Sequence, residues 1–175
     1  KKAAFYAYML PLIREANAEV ARERAGLLAM RDTLLAGAPL VQRDLHMLAV
    51  LERRYRIDGD DTWTAQRVGN LLRRVDVVPE SLVLAQAAKE SGWGTSRFAR
   101  EGNNLFGIWC FSAGCGLTPL ARADHLAHEV RRFDAVIDGV RHYLRTINTH
   151  EAYAMLREIR AGARRDNATP HGVLL

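Results

Sequence analysis

The sequence predicts an α+β fold that is mainly helical and carries one small β-hairpin lobe. Three observations predict it. Apolar residues recur at three- and four-residue spacings towards both ends of the chain, which is the helical period. Between these stretches, residues 105–134 lose that period. They gather Pro119, several glycines and the strand-favouring Phe106, Ile108, Trp109, Val130 and Phe133. Finally, the 175 residues are 49% hydrophobic and 26% charged, which suits one domain with a sizeable core and argues against disorder.

The elements follow in order. Residues 3–36 read as one or two helices through Phe5, Met9, Leu12, Ile13, Val20, Leu27, Leu28 and Leu34, with Pro11 marking a kink or a late start. Gly37-Ala38-Pro39 is a break. Leu40 to Tyr55 is a second amphipathic helix with Leu45, Leu48 and Leu51 on its stripe. Asp58-Gly59-Asp60-Asp61 is a turn, and Thr62 caps a third helix ending near Arg74. Pro79 opens a fourth as a first-turn residue, and Glu80 favours its positive end. From Leu82 to Ala88 this helix is apolar nearly all round, so it reads as buried. Asp134 to Asn148 is a helix with Val136, Val140, Tyr143, Leu144 and Ile147 inward, and a short one covers Glu151 to Arg160. The tail after Gly162 is basic and polar. The domain organisation expected is one domain, 1–175, with an N-terminal helical part to residue 60 and a core of 61–161.

The chemistry concentrates in Glu90-Ser91-Gly92-Trp93-Gly94, followed by Asn103-Asn104-Leu105-Phe106-Gly107. Glu90 ends the apolar helix on the face of Val83, Gln86 and Ala87. Gly92 and Gly94 then stop the helix, where a positive φ suits glycine. Burial and the orphan carbonyls of a helix C-terminus both disfavour a charged carboxylate. A carboxyl held protonated in this way is what a general acid requires. The bland alternative is a surface glutamate in a fraying last turn, which composition alone favours.

Residues 84–94 and 103–108 resemble the signature of the β-N-acetylglucosaminidase domain of glycoside hydrolase family 73, which includes flagellar and autolysin glucosaminidases. Trp109-Cys110-Phe111, Gly114-Cys115-Gly116-Leu117 and Asn148-Thr149-His150-Glu151-Ala152-Tyr153 are similar to its Bax-like branch in Gram-negative bacteria. The opening residues Phe5, Leu10 to Ile13 and Asn17 fit that branch too. The resemblance implies a lysozyme-like fold that cleaves peptidoglycan glycan strands after N-acetylglucosamine, with Glu90 as general acid. The substrate is expected in a groove between the helical body and the 105–134 lobe. Alternatives are a lytic transglycosylase on the same glycan, or a glycan-binding module without turnover.

A second catalytic group has several candidates. The family often places a glutamate on the first strand of the hairpin, where this chain has Leu117-Thr118-Pro119. Glu129 on the return strand is the nearest substitute, with Asp124 and Asp134 weaker. A solvated charge pairing Arg131 or Arg132 is an equal reading of Glu129. Without a carboxylate, the substrate's own acetamido group can assist. Tyr153 matches the family's tyrosine near the cleft, and its alternative is an amphipathic core tyrosine. Trp93 and Phe106 are candidate sugar platforms or packing residues. Asn103 and Asn104 are candidate substrate contacts or turn residues.

Cys110 and Cys115 read as a disulfide clamping a hairpin loop in an oxidising compartment. The rival is zinc, through His125 and His128, although the spacing suits no standard finger. No cofactor or metal is expected. The net charge of +5 and pI near 9.6 suit anionic polymers in general. The basic pairs Arg53-Arg54, Arg73-Arg74, Arg131-Arg132 and Arg164-Arg165 are scattered and lack interleaved stacking aromatics, which argues against nucleic acid. The six histidines form no triad. No apolar run approaches a membrane span. The start at Lys1 suggests a trimmed chain whose anchor or signal would be lost, and the Val173-Leu174-Leu175 end suggests a missing C-terminal element. The expectation is a monomer in the periplasm or cell envelope of a Gram-negative bacterium, acting on peptidoglycan.

Overall fold

The computed structural model describes residues 1–59, 62–119 and 128–166. It is mainly helical with a small three-stranded antiparallel sheet, the composition of a lysozyme-like fold. The helices are α1 (Lys2–Leu35), α2 (Gln42–Tyr55), α3 (Ala65–Arg74), α4 (Glu80–Ser91), α5 (Arg97–Gly102), α6 (Val136–Thr149) and α7 (Ala154–Arg165). The strands are β1 (Trp109–Cys110), β2 (Gly116–Leu117) and β3 (Glu129–Arg131).

The chain forms two compact units. The first comprises Lys1–Ala16 and Pro79–Leu144, and the second comprises Asn17–Val78 and the chain from Arg145 onward. These boundaries differ from the division at residue 60 drawn from the sequence. The N-terminal helical stretch is shared between both units.

In the first unit, α1 passes Pro11 without a break. Proline removes one helical hydrogen bond, that to the carbonyl four residues back. Ala7 and Pro11 are both exposed, so water can take that carbonyl. Phe5, Met9 and Ile13 are buried at the helical spacing that the sequence shows. Helix α4 buries Val83, Ala87 and Ala88, and α6 buries Val140, Tyr143 and Leu144. Helix α5 is an addition to the sequence reading. Ser96 caps it by accepting from the Ala99 N–H at 3.2 Å, a six-residue element too short for periodicity to reveal.

The lobe is a small antiparallel sheet of order β1-β3-β2. Trp109 lies opposite Val130, and Leu117 lies opposite the same Val130 from the other side. The return strand thus sits in the middle. Gly116 is required there, because a Cβ would lie 2.0 Å from the Val130 carbonyl oxygen.

In the second unit, Leu27, Met30, Leu48, Leu51, Tyr55, Val68, Leu71, Leu72 and Val75 form one apolar cluster. The cap of α3 is Thr64, whose hydroxyl accepts from the Arg67 N–H at 3.2 Å, and not Thr62. Arg67 also explains the loop before it. It pairs with Glu52 at 2.7 Å and lies over the Trp63 ring at 3.9 Å, so its stem and charge fix the approach to the helix. After α6 a 3-10 turn, Glu151–Tyr153, leads into α7. His150 starts that turn by accepting from the Ala152 N–H.

Candidate active site

The site is built on the C-terminus of α4. Gly92 takes the left-handed conformation, φ +56°, and its N–H closes on the Ala88 carbonyl. Trp93 and Gly94 follow with φ +61° and +76°, so three successive residues are left-handed. Glycine adopts this region freely, whereas Trp93 does so only under constraint. Buried Ser91 supplies it. The Ser91 hydroxyl donates to the Ala87 carbonyl at 2.5 Å and accepts from the Gly94 N–H at 2.8 Å. The Thr95 hydroxyl donates to the Gly92 carbonyl at 2.7 Å. Ser91 was not singled out from the sequence, yet a serine before Gly-x-Gly at a helix end is the signal that could have found it.

Glu90 emerges from this turn exposed, which corrects the expectation that it is buried. Helix α4 buries Val83, Ala87, Ala88 and Ser91 to its end, but Glu90 lies with Gln86 on the flank of that buried face. The Gln86 amide donates to Glu90 Oε1 at 3.1 Å, one turn back on the same face. The other oxygen looks onto Gly107. A Cβ there would lie 3.5 Å from Glu90 Oε2. Gly107 has φ +64°, so both the backbone and the open carboxylate face call for glycine.

Asn104 sets that turn. Its Nδ2 donates to the carbonyls of Ile108 at 2.9 Å and Arg131 at 2.8 Å. Its Oδ1 accepts from the N–H of Phe106 at 3.2 Å and of Ile108 at 3.1 Å. The residue is 2% exposed and uses both ends of its amide, so it ties the turn to β3. Asn103 caps α5 at φ +52° and donates to the carbonyls of Phe133 and Asp134. Phe106 is buried and stacks on Tyr143 at 4.4 Å. These three candidates for sugar contact therefore hold the frame. Trp93 is half-buried, packed edge-on against Phe5 and Tyr6 at 5.7 Å each. It lines a cavity of about 360 Å³ together with Phe5, Tyr8, Asn103 and Leu105. The aromatic side chains offered to solvent on the lobe are Trp109 and Phe111. Trp109 stacks on His128 at 4.2 Å. Their alternation with buried Cys110 is the two-residue period of a strand, a signal present in the sequence.

Glu129 lies partly buried on β3. Its oxygens accept from the N–H groups of Gly114 at 3.1 Å and Gly116 at 2.7 Å. It thereby holds the loop that the Cys110–Cys115 disulfide closes. The bonded sulfurs are not thiolates, which removes the cysteines from the zinc alternative. Asp134 is exposed, and Asp124 and His125 lie outside the described residues. Tyr153 belongs to the second unit. It is half-buried, with its ring edge-on to His150 at 6.4 Å.

The glucosaminidase family model, described as mannosyl-glycoprotein endo-beta-N-acetylglucosaminidase, matches residues 65–169. The curated Escherichia coli (strain K12) protein called "Protein bax" is 33% identical over 165 residues, which is 94% of this chain and 57% of that protein. The chain thus spans little more than half the length of that relative. No solved structure matches it.

Proposed function

We propose, from the premise that this chain belongs to the glucosaminidase family, that it hydrolyses the β-1,4 bond after N-acetylglucosamine in the glycan strands of peptidoglycan. The observation that carries the reading is the exposed carboxylate of Glu90, with one oxygen held by Gln86 and the other left open over Gly107. Glu90 acts as general acid. It gives a proton to the glycosidic oxygen as the bond to the anomeric carbon breaks, and a water then completes the sugar. The carboxylate is exposed, so the bound glycan itself must displace water from it. The glycan lies over the α4 terminus and the lobe, where Trp109 and Phe111 offer apolar faces for sugar rings.

The second catalytic role falls to the substrate. Glu129 accepts from two backbone N–H groups of the disulfide loop, which ties its side chain to that loop. The acetamido oxygen of the sugar is already tethered beside the anomeric carbon. The same observation favours a second reading, a lytic transglycosylase, because that reaction also needs no base to activate water. The disulfide fits an extracytoplasmic setting, the cell envelope of a Gram-negative bacterium. No described helix is long and apolar enough to cross a membrane.

Mass spectrometry of peptidoglycan digested by the protein tests the proposal. Fragments ending in reducing N-acetylglucosamine are expected. Anhydro ends, lighter by one water, establish the second reading instead, and undigested glycan refutes both.

A further inference from the structure

Sequence reading leaves the basic pairs scattered, but in the second unit several of them converge. Arg24 and Arg31 of α1, Arg73 of α3, and Arg160, Arg164 and Arg165 of α7 line one cavity of about 470 Å³. Among the described residues, Asp76 is the only acidic one of that lining, and it is 2% exposed. It pairs with Arg164 at 2.8 Å, Arg24 at 3.4 Å and Arg160 at 3.8 Å. At the rim, Arg73 pairs with Glu158 at 2.6 Å and Arg31 with Asp32 at 3.2 Å. Among the described residues, six guanidinium charges therefore meet three carboxylates, even when these rim acids are counted.

Two of the six serve the backbone of the fold. Arg24 donates to the carbonyls of Leu72 and Val75, and Arg160 to those of Arg73, Arg74, Asp76 and Val77. Both thus satisfy the orphan acceptors at and beyond the C-terminus of α3. Burial lowers the pKa of Arg160 to about 10 against the raising effect of Asp76, and neighbouring Arg24, Arg157 and Arg164 add to the lowering. Asp76 holds Arg164 in its charged form, whereas burial and then neighbouring guanidinium groups disfavour the charge on Arg24 and Arg160. The remaining arginines do not serve those carbonyls.

Gly69 is a second, independent observation. It lies inside α3, where glycine is unfavourable by about 1 kcal/mol relative to alanine. It lines the same cavity, and a Cβ built on it meets nothing within 4 Å. The helix therefore keeps open a space that its own packing does not require.

We propose that this cavity is a binding site for a compact oxyanion of two or more charges, with phosphate or diphosphate as the chemistry it fits. Guanidinium groups take phosphate oxygens in paired hydrogen bonds, and this site supplies them from three helices. The volume accommodates a diphosphate or a phosphate with its attached group. The proposal goes beyond the glycan reading and does not depend on it.

The test uses calorimetry with sodium pyrophosphate on the whole chain, against sodium chloride at equal ionic strength. Saturable binding of pyrophosphate with a matching rise in melting temperature is expected. Arg31→Gln with Arg165→Gln should weaken it at least tenfold. Gly69→Leu should abolish it while keeping or raising the melting temperature, which separates loss of the site from loss of the fold. Glu90→Gln should bind pyrophosphate normally, and Gly69→Leu should retain glycan turnover, so this proposal and the catalytic one fail separately. Co-sedimentation with phosphatidylglycerol vesicles, but not with phosphatidylcholine vesicles, assigns the phosphate to a lipid headgroup if Gly69→Leu removes it. Pyrophosphate binding without that co-sedimentation assigns it to a free phosphate. Equal stabilisation by chloride, or pyrophosphate binding undiminished in Gly69→Leu, overturns the proposal.

Discussion

Replacing Asn104 with alanine should unfasten the turn that faces Glu90. Four hydrogen bonds disappear together: two from Nδ2 to the Ile108 and Arg131 carbonyls, and two into Oδ1 from the Phe106 and Ile108 N–H groups. A buried hydrogen bond contributes about 0.5–1.5 kcal/mol net, so four span roughly 2–6 kcal/mol. Asn104 is almost wholly buried, so water cannot readily replace them. Asn104→Ala should therefore lose about 3 kcal/mol in urea unfolding, with glycan turnover falling even where the protein remains folded. Asn104→Asp is the sharper companion. It keeps two acceptor bonds but sets a carboxyl against two carbonyl oxygens, and should be at least as damaging. A substrate contact behaves otherwise, raising KM at unchanged stability. A loss below about 1 kcal/mol for Asn104→Ala would refute the framing role.

Further outcomes test the neighbouring pieces. Gly107→Ala places a methyl 3.5 Å from Glu90 Oε2 at φ +64°; it should lose about 1–2 kcal/mol of stability and most turnover, measured by denaturation and glycan digestion. Glu129→Gln should slow turnover by less than about tenfold, since a general base is worth on the order of a hundredfold or more, and should loosen the 114–116 loop in hydrogen exchange. The Tyr55 phenol, whose pKa burial raises well above 10.0, should stay protonated until the protein unfolds. Its stabilising effect is fully present below pH 10.0 and declines as pH rises further, so alkaline unfolding should release a tyrosinate signal that Tyr55→Phe lacks.

Helices long enough to show a period were legible in the sequence, and so was the disulfide, because neighbouring cysteines in a loop leave little choice of partner. Short elements were not. Helix α5 offers only six residues, and the cap of α3 fell two residues from the expected threonine, since Thr62 and Thr64 carry the same chemistry. The central place of β3 was hidden for a different reason. Strands of two and three residues carry almost no pattern, and their order is fixed by long-range pairing. Within the site, Glu90 was legible from its helix-ending turn, but its exposure was not. An apolar run shows that a helix is buried, not which of its flanks meets solvent. The asparagines read as turn or sugar residues until their partners, 27 and 30 residues away, could be seen.

The central claim is that Glu90 delivers the proton. Glu90→Gln keeps the shape and the Gln86 neighbour but has no proton to give. Its rate of release of glycan fragments from purified peptidoglycan, followed by mass spectrometry beside the unmodified protein, decides the matter. A loss of at least roughly a hundredfold with an unchanged melting temperature is predicted. Near-normal fragment release by the folded variant would contradict it.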